Sequence, residues 1–168
     1  MADATQLNFR FNATVRYTVD DQTDASENPI LLLNQFNSFG TRNASSTVPV
    51  TKTYADTVAL VAGAKTLDFT SLTSPGGAAL DCTGLKLQLM LVQNTAANNS
   101  LRISIGAANP YDFMGAATGD ITLLSSATEA GRFMQYFPDT LENVDATHKT
   151  IDFAGTLVEE FDIMLVFG

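Results

Sequence analysis

Few residues in this chain are equipped for chemistry. Its one histidine, His148, lies in Ala146-Thr147-His148-Lys149-Thr150. A histidine at a loop-to-strand junction suits general-base work, but no local motif supplies the nucleophile or carboxylate it would need, so it reads as an ordinary loop histidine. Its one cysteine, Cys82, lies in Leu80-Asp81-Cys82-Thr83-Gly84. No helix N-terminus or neighbouring cation in sequence lowers its pKa, so a half-buried structural thiol is expected. Asp20, Asp21, Asp24 and Glu27 offer the oxygen ligands calcium prefers, but without the glycine and terminal glutamate spacing of an EF-hand loop they read as a solvated loop. Pro75-Gly76-Gly77-Ala78 and Gly115-Ala116-Ala117-Thr118-Gly119 are followed by neither a Lys-Ser/Thr pair nor a helical pattern, so they read as turns and not phosphate cradles. Glu159-Glu160, before the last strand, reads as blunting a loop or an edge. The expectation is a protein that is not an enzyme, with no catalytic residues, no cofactor and no metal.

The scaffold that must carry these residues follows from the rest of the chain. At 168 residues the length fits one domain, which buries about two-thirds of its unfolded surface and needs no disulfide or metal for stability. A single cysteine forms no internal disulfide, and with a single histidine it makes no Cys/His zinc site. Nine basic against 18 acidic residues give a net charge of −9 and a pI near 4.3, which argues against nucleic acid as a direct partner. The start, Met1-Ala2-Asp3-Ala4-Thr5-Gln6, has neither the basic nor the apolar region of a secretory signal. The run Ile163–Phe167 is far short of the ~20 residues a membrane span needs. The expectation is therefore a chain made in the cytosol, with no membrane partner. Asn12-Ala13-Thr14, Asn43-Ala44-Ser45 and Asn98-Asn99-Ser100 match the glycosylation sequon but read as accidents of an Asn/Thr/Ser-rich composition.

The dominant periodicity is two. From Leu7 to Val19 each odd position is apolar and each even position polar, the pattern of a strand with one buried and one solvated face. Residues 20–29 are a polar break. Ile30 to Phe39 is apolar-rich and compatible with a short helix or an irregular strand, and Gly40 to Pro49 reads as a loop. Strand-like pieces then recur at Thr53–Val61, Thr66–Phe69, Leu85–Val92, Leu101–Ile105, Ile121–Leu124, Arg132–Phe137, His148–Phe153 and Phe161–Phe167. Leu85–Val92 is nearly continuous in apolar residues, as a central strand covered for much of its length would be. Asp139 to Asp145 admits one turn of helix. About eight to ten short strands with frequent turn signals and no long amphipathic helix define the fold class: all-β, a single-domain antiparallel β-sandwich, jelly-roll-like. Residues 1–50 form an N-terminal strand and loop region and residues 51–168 the main sandwich. An immunoglobulin-like sandwich would read the same way.

The aromatic residues divide by position. Phe9, Phe11, Tyr17, Phe69, Phe153, Phe161 and Phe167 occupy apolar alternation positions and are expected in the core. Phe36, Phe39, Tyr111 and Phe113 lie in or beside loops, where aromatic side chains anchor protein–protein contacts or stack on sugar rings. These four are the candidate interface residues.

Several segments together resemble a known group. They are Tyr54–Ala64 leading into Leu67-Asp68-Phe69, then Gly84-Leu85-Lys86-Leu87-Gln88-Leu89-Met90-Leu91-Val92-Gln93-Asn94-Thr95, then Leu101-Arg102-Ile103-Ser104-Ile105-Gly106. Late in the chain come Gly131-Arg132-Phe133-Met134-Gln135-Tyr136-Phe137-Pro138-Asp139 and the closing Phe161–Gly168. Their order resembles small single-domain β-sandwich structural proteins of tailed bacteriophages and prophages, over roughly residues 54–168. The turn before Phe133 reads Ala130-Gly131 where those chains carry Gly-Gly, and residues 1–50 have no counterpart. The resemblance implies a virion role and carries over no catalytic residues.

The functional expectation is a non-enzymatic virion structural protein: a capsid decoration, cement or minor capsid subunit acting through protein contacts. Its partners would be the capsid shell protein and its own copies. A homo-oligomer is expected, a trimer at capsid symmetry axes fitting that role, although closed symmetry alone does not set the number. A carbohydrate- or receptor-binding β-sandwich module is the alternative.

Overall fold

The alternation from Leu7 to Val19 becomes strand β1 (Gln6–Val19), and the apolar stretch after residue 29 becomes its antiparallel partner β2 (Ile30–Asn43). The choice between helix and strand at Ile30–Phe39 thus resolves as strand, and pairing with β1 carries it through the first part of the expected Gly40–Pro49 loop. The computed structural model describes residues 6–19, 30–43, 45–47, 49–74, 76–95, 100–115, 118–137, 139–156 and 159–168, the residues up to 41 as backbone only.

Ten further strands follow: β3 (Lys52–Ala59), β4 (Ala64–Asp68), β5 (Leu72–Thr73), β6 (Ala79–Leu80), β7 (Leu87–Asn94), β8 (Ser100–Ile105), β9 (Asp120–Leu124), β10 (Gly131–Tyr136), β11 (Thr150–Ala154) and β12 (Glu160–Phe167). Among the described residues there is no helix. The turn of helix admitted at Asp139–Asp145 does not form, because the local donors go elsewhere. Val144 N–H donates to Leu85 O at 2.8 Å, and the Asp145 carboxylate gathers the N–H groups of Thr147 and His148.

Eight of the strands make two four-stranded antiparallel sheets, ordered β10-β7-β12-β3 and β4-β11-β8-β9. Counted along the chain, the first of these eight pairs with the last, the second with the seventh, the third with the sixth and the fourth with the fifth. These eight strands therefore follow one long hairpin folded over so that successive pairs fall alternately in the two sheets. β7–β12 and β8–β11 contacts then close each sheet.

The inner faces meet in one apolar cluster. Tyr54, Met90, Val92, Ile163 and Leu165 come from one sheet, and Leu67, Leu101, Ile103 and Ile151 from the other. Phe153 of β11 stacks on Phe161 of β12 across the gap, with centroids 4.4 Å apart and planes at 22°. This packing is compatible with the two layers of a β-sandwich. Phe69, Phe153, Phe161 and Phe167 are at most 1 % exposed, as their alternation positions require; Phe9, Phe11 and Tyr17 have side chains outside the described set.

One tight turn needs left-handed backbone, and one glycine is required by lack of space. Ala62 and Gly63, at φ +53° and +79°, link β3 to β4 with Val61 and Ala64 bonded to each other in both directions, the geometry of a type I′ turn. Gly131, at the passage from one sheet to the other, has no room for a side chain, since a Cβ there would overlap the Leu124 carbonyl.

Candidate interaction face

Two of the four aromatic candidates turn out to be core. Tyr111 is 1 % and Phe113 2 % exposed, so neither offers a ring to a partner or a sugar. Both lie in irregular chain, as expected, but the chain there folds inward. The Tyr111 hydroxyl accepts the Leu87 N–H at 3.0 Å and donates to Glu142 O at 2.8 Å. Its ring meets Phe69 edge-on at 5.2 Å. Burial pushes its phenol up to about 12. Phe113 packs edge-on against Phe137 at 6.5 Å. Phe36 and Phe39 fall within β2 and not in a loop, and their side chains lie outside the described residues.

The groups considered for chemistry are placed as follows. His148 Nδ1 lies 3.2 Å from both carboxylate oxygens of Asp145, a neighbour three residues back that the sequence reading passed over. Thr147 Oγ1 approaches the same Nδ1 at 3.1 Å. A relay needs the orienting carboxylate and the nucleophile on opposite ring nitrogens, whereas here both crowd one. The carboxylate instead ties a turn: hydrogen bonds from Thr147 N–H, Thr147 Oγ1 and His148 hold Asp145 well below the usual carboxylate range.

Cys82 is fully buried rather than half-buried, and desolvation pushes its thiol up to about 12. Glu160 opens β12, an inner strand of its sheet, so it blunts no edge. Glu159 serves the preceding loop by accepting Thr156 N–H at 2.9 Å. Gly77 and Gly115, at φ +79° and +71°, are turn residues. The acidic group at residues 20–27 lies outside the described residues. Among the described residues no three His, Cys, Asp or Glu side chains converge as metal ligands would.

What the fold does build is a contrast between its two outer faces. On the β4-β11-β8-β9 sheet the cross-strand registers place Thr66, Asp152, Ser104 and Asp120 in one outward row, with Arg102 and Thr122 in the next. Asp152 accepts Thr66 Oγ1 at 2.5 Å and Ala107 N–H at 2.8 Å. That face is polar.

On the β10-β7-β12-β3 sheet the outward rows read Tyr136-Leu89-Val166-Thr53, then Met134-Leu91-Met164-Ala55, then Arg132-Gln93-Asp162-Thr57. The third row is a polar rim, with Arg132 Nε donating to Gln93 Oε1 and Thr57 Oγ1 to Asp162 Oδ1, each at 2.8 Å. The first two are apolar. Leu89, Val166 and Val50 form a cluster separate from the main core, with Met134, Tyr136 and Met164 packed half-buried around it. The Arg42 guanidinium, at the end of β2, sits 4.8 Å over the Tyr136 ring.

β7 is therefore apolar on both sides, which explains the near-continuous run at Leu85–Val92. Met, Tyr and Arg around an aliphatic centre with a polar border is the composition of a protein-contact patch. The signal that locates it in sequence is a pair of strands, β7 and β12, whose outward positions are also apolar.

A concavity opens where the edge strands β3 and β4 flank the gap between the sheets. It is a cleft of about 350 Å³ lined by Tyr54, Asp56, Lys65, Thr66, Asp68 and Ser71 among others. Tyr54 Oη donates to Asp56 at 3.1 Å, and Lys149 pairs with Asp68 at 2.7 Å.

Fold and surface together define a class, an all-β protein of antiparallel sheets, compatible with a β-sandwich, with one mainly polar and one apolar outer face. Comparison with models of protein families, with curated proteins and with solved structures found no match to this chain.

Proposed function

We propose that this chain is a non-enzymatic structural subunit of a virus particle: a capsid decoration, cement or minor capsid protein. It sits in the virion after synthesis in the host cytoplasm and binds the shell protein and its own copies. The observation that carries this reading is the apolar outer face on which Met134, Leu91 and Met164 stand half-buried around the covered Leu89 and Val166, a surface suited to a permanent contact and set opposite a mainly polar one.

The strand order supports the finer fold assignment. Pairing first with eighth, second with seventh, third with sixth and fourth with fifth is the order of a jelly roll, an architecture of viral capsid domains and also of lectins. Fold alone does not choose between those uses; the apolar face favours assembly. A body rich in carboxylates fits a subunit held away from packaged nucleic acid.

The test is mass spectrometry of purified particles from the source that encodes the chain, with co-sedimentation on assembled shells. The chain is expected in the particles, and Met134→Lys/Met164→Lys is expected to abolish co-sedimentation. Particles without the chain would sink the proposal.

A glycan-binding module is the second reading. The cleft between β3 and β4 favours it, because its hydroxyls, carboxylates and ammonium suit a polyhydroxylated ligand. Saturable binding on a glycan array, lost on Asp56→Ala, would replace the assembly reading.

A further inference from the structure

We infer that the polar outer face of the β4-β11-β8-β9 sheet carries a binding site for an acidic sugar, a ligand with one carboxylate and several hydroxyls, held at Arg102, Lys65, Asp152 and Ser104. The site begins with side-chain size. The cross-strand registers set Ala64, Ala154, Arg102 and Thr122 in one outward row and Thr66, Asp152, Ser104 and Asp120 in the next. Opposite residues of an antiparallel pair share a face, so two alanine methyls lie beside longer side chains. The sheet is hollowed there, in a depression of about 350 Å³ whose lining includes Ala64, Ala154, Lys65, Arg102, Ser104 and Asp152. That is the small end of the range for ligand pockets, about 300–1,000 Å³.

The cations of this hollow are the ones the chain leaves uncommitted. With 18 acidic residues to nine basic ones, a basic side chain readily finds a partner, and the other described Lys and Arg side chains each have one. Lys86 pairs with Asp139 and Lys149 with Asp68, each at 2.7 Å. Arg132 donates to Gln93 at 2.8 Å, Lys52 donates to the Asp81 carbonyl, and Arg42 lies over the Tyr136 ring. Lys65 makes no ion pair or hydrogen bond among the described residues. Arg102 has Asp120 alone among them, at 3.5 Å with both side chains about half exposed, a pair worth little in water. One weak contact leaves most of the five guanidinium donors free.

The neighbouring row asks for hydroxyls. Asp152 accepts Thr66 Oγ1 on one carboxylate oxygen and Ala107 N–H on the other, and each oxygen keeps a further lone pair. Ser104 stands opposite Asp152 across the β8–β11 pair. A bare oxyanion would gain Arg102 but meet the Asp152 charge with nothing to offer it. A neutral sugar would bond to Asp152 and leave the guanidinium unanswered. A sugar with a carboxylate serves both. Its carboxylate takes the planar guanidinium through paired hydrogen bonds, its hydroxyls take Asp152 and Ser104, and its apolar ring face lies on Ala64 and Ala154. The inference rests on neither the virion reading nor the β3–β4 cleft. Lys65 borders that cleft too, so the test turns on Arg102 and Ala154, which do not.

The test is a titration of the isotope-labelled full-length chain with sodium glucuronate at constant ionic strength, followed by amide chemical shifts. Saturable shifts centred on Ala64, Arg102 and Ala154 are expected. Glucose and inorganic phosphate are expected to bind at least about tenfold more weakly, the scale of one charge-assisted hydrogen bond. Arg102→Gln is expected to weaken glucuronate by at least the same factor. Ala154→Leu keeps every charge but fills the hollow, and is expected to do likewise; either variant suffices if the other unfolds. Lys86→Gln, the same loss of charge elsewhere on the chain, is expected to bind as wild type. Absence of saturable shifts, or shifts centred elsewhere, overturns the inference. So does glucose or phosphate binding as tightly as glucuronate, unchanged affinity in a folded Arg102→Gln or Ala154→Leu chain, or an equal loss in Lys86→Gln.

Discussion

Tyr111→Phe separates a structural tyrosine from an interface tyrosine. The substitution keeps the ring, its edge-on contact with Phe69 at 5.2 Å and its packing, and removes only the hydroxyl. That hydroxyl is the partner of the Leu87 N–H at 3.0 Å, a buried bond, and of the Glu142 carbonyl at 2.8 Å, a bond with some access to water. The carbonyl recovers a water molecule, whereas the N–H at the start of β7 is left without an acceptor. A buried donor without a partner costs about 1–3 kcal/mol, so about 2 kcal/mol is expected. In a domain of this length that lowers Tm by about 4–8 °C. Tyr111→Ala adds a cavity and brings the loss to about 3–5 kcal/mol or more. The assay is urea unfolding followed by circular dichroism, read at unchanged m-value so that the shift reports stability. A Tyr111→Phe loss below about 0.5 kcal/mol, the range of ordinary surface changes, would refute the reasoning. It would return Tyr111 to the surface role that its loop position suggests.

Three further outcomes follow from the geometry. Ala62 sits at φ +53° in a type I′ turn, so Ala62→Gly is expected to raise stability by about 1 kcal/mol, measured by the same unfolding; a loss would mean the turn is unstrained. Gly131→Ala drives a Cβ into the Leu124 carbonyl and is expected to cost about 2 kcal/mol or more, as backbone rather than a flexible side chain must move; a neutral result would mean that the β9–β10 passage relaxes freely. The Asp68 carboxyl is raised by burial but lowered further by hydrogen bonds from Lys149 and Thr70, so its folded pKa lies below the ordinary 3.8. A depressed folded pKa adds stability that is present above the unfolded value and lost as pH falls through the folded one. Wild type should therefore exceed Asp68→Asn at neutral pH, with the gap closing below about pH 4; a gap independent of pH would show that Lys149 does not stabilise the charged form.

The strands were legible wherever one face is wet. Leu101–Ile105 alternates because one side lies in the core and the other meets water, and it became β8 within a residue or so. Ile30–Phe39 was undecidable because aliphatics on both faces erase the period of two, and only the register with β1 settles it. The same erasure hid the apolar outer face. Met164 and Val166 look like a simple apolar run until pairing with Leu91 and Leu89 shows that they stand on the outer side. Tyr111 and Phe113 were misread because irregular chain is usually surface chain. Here residues 107–115 are tied inward by Tyr111 N–H on Thr150 O at 2.9 Å and by Lys149 and Thr150 N–H groups on Asn109 O, bonds between segments about forty residues apart that no local pattern announces.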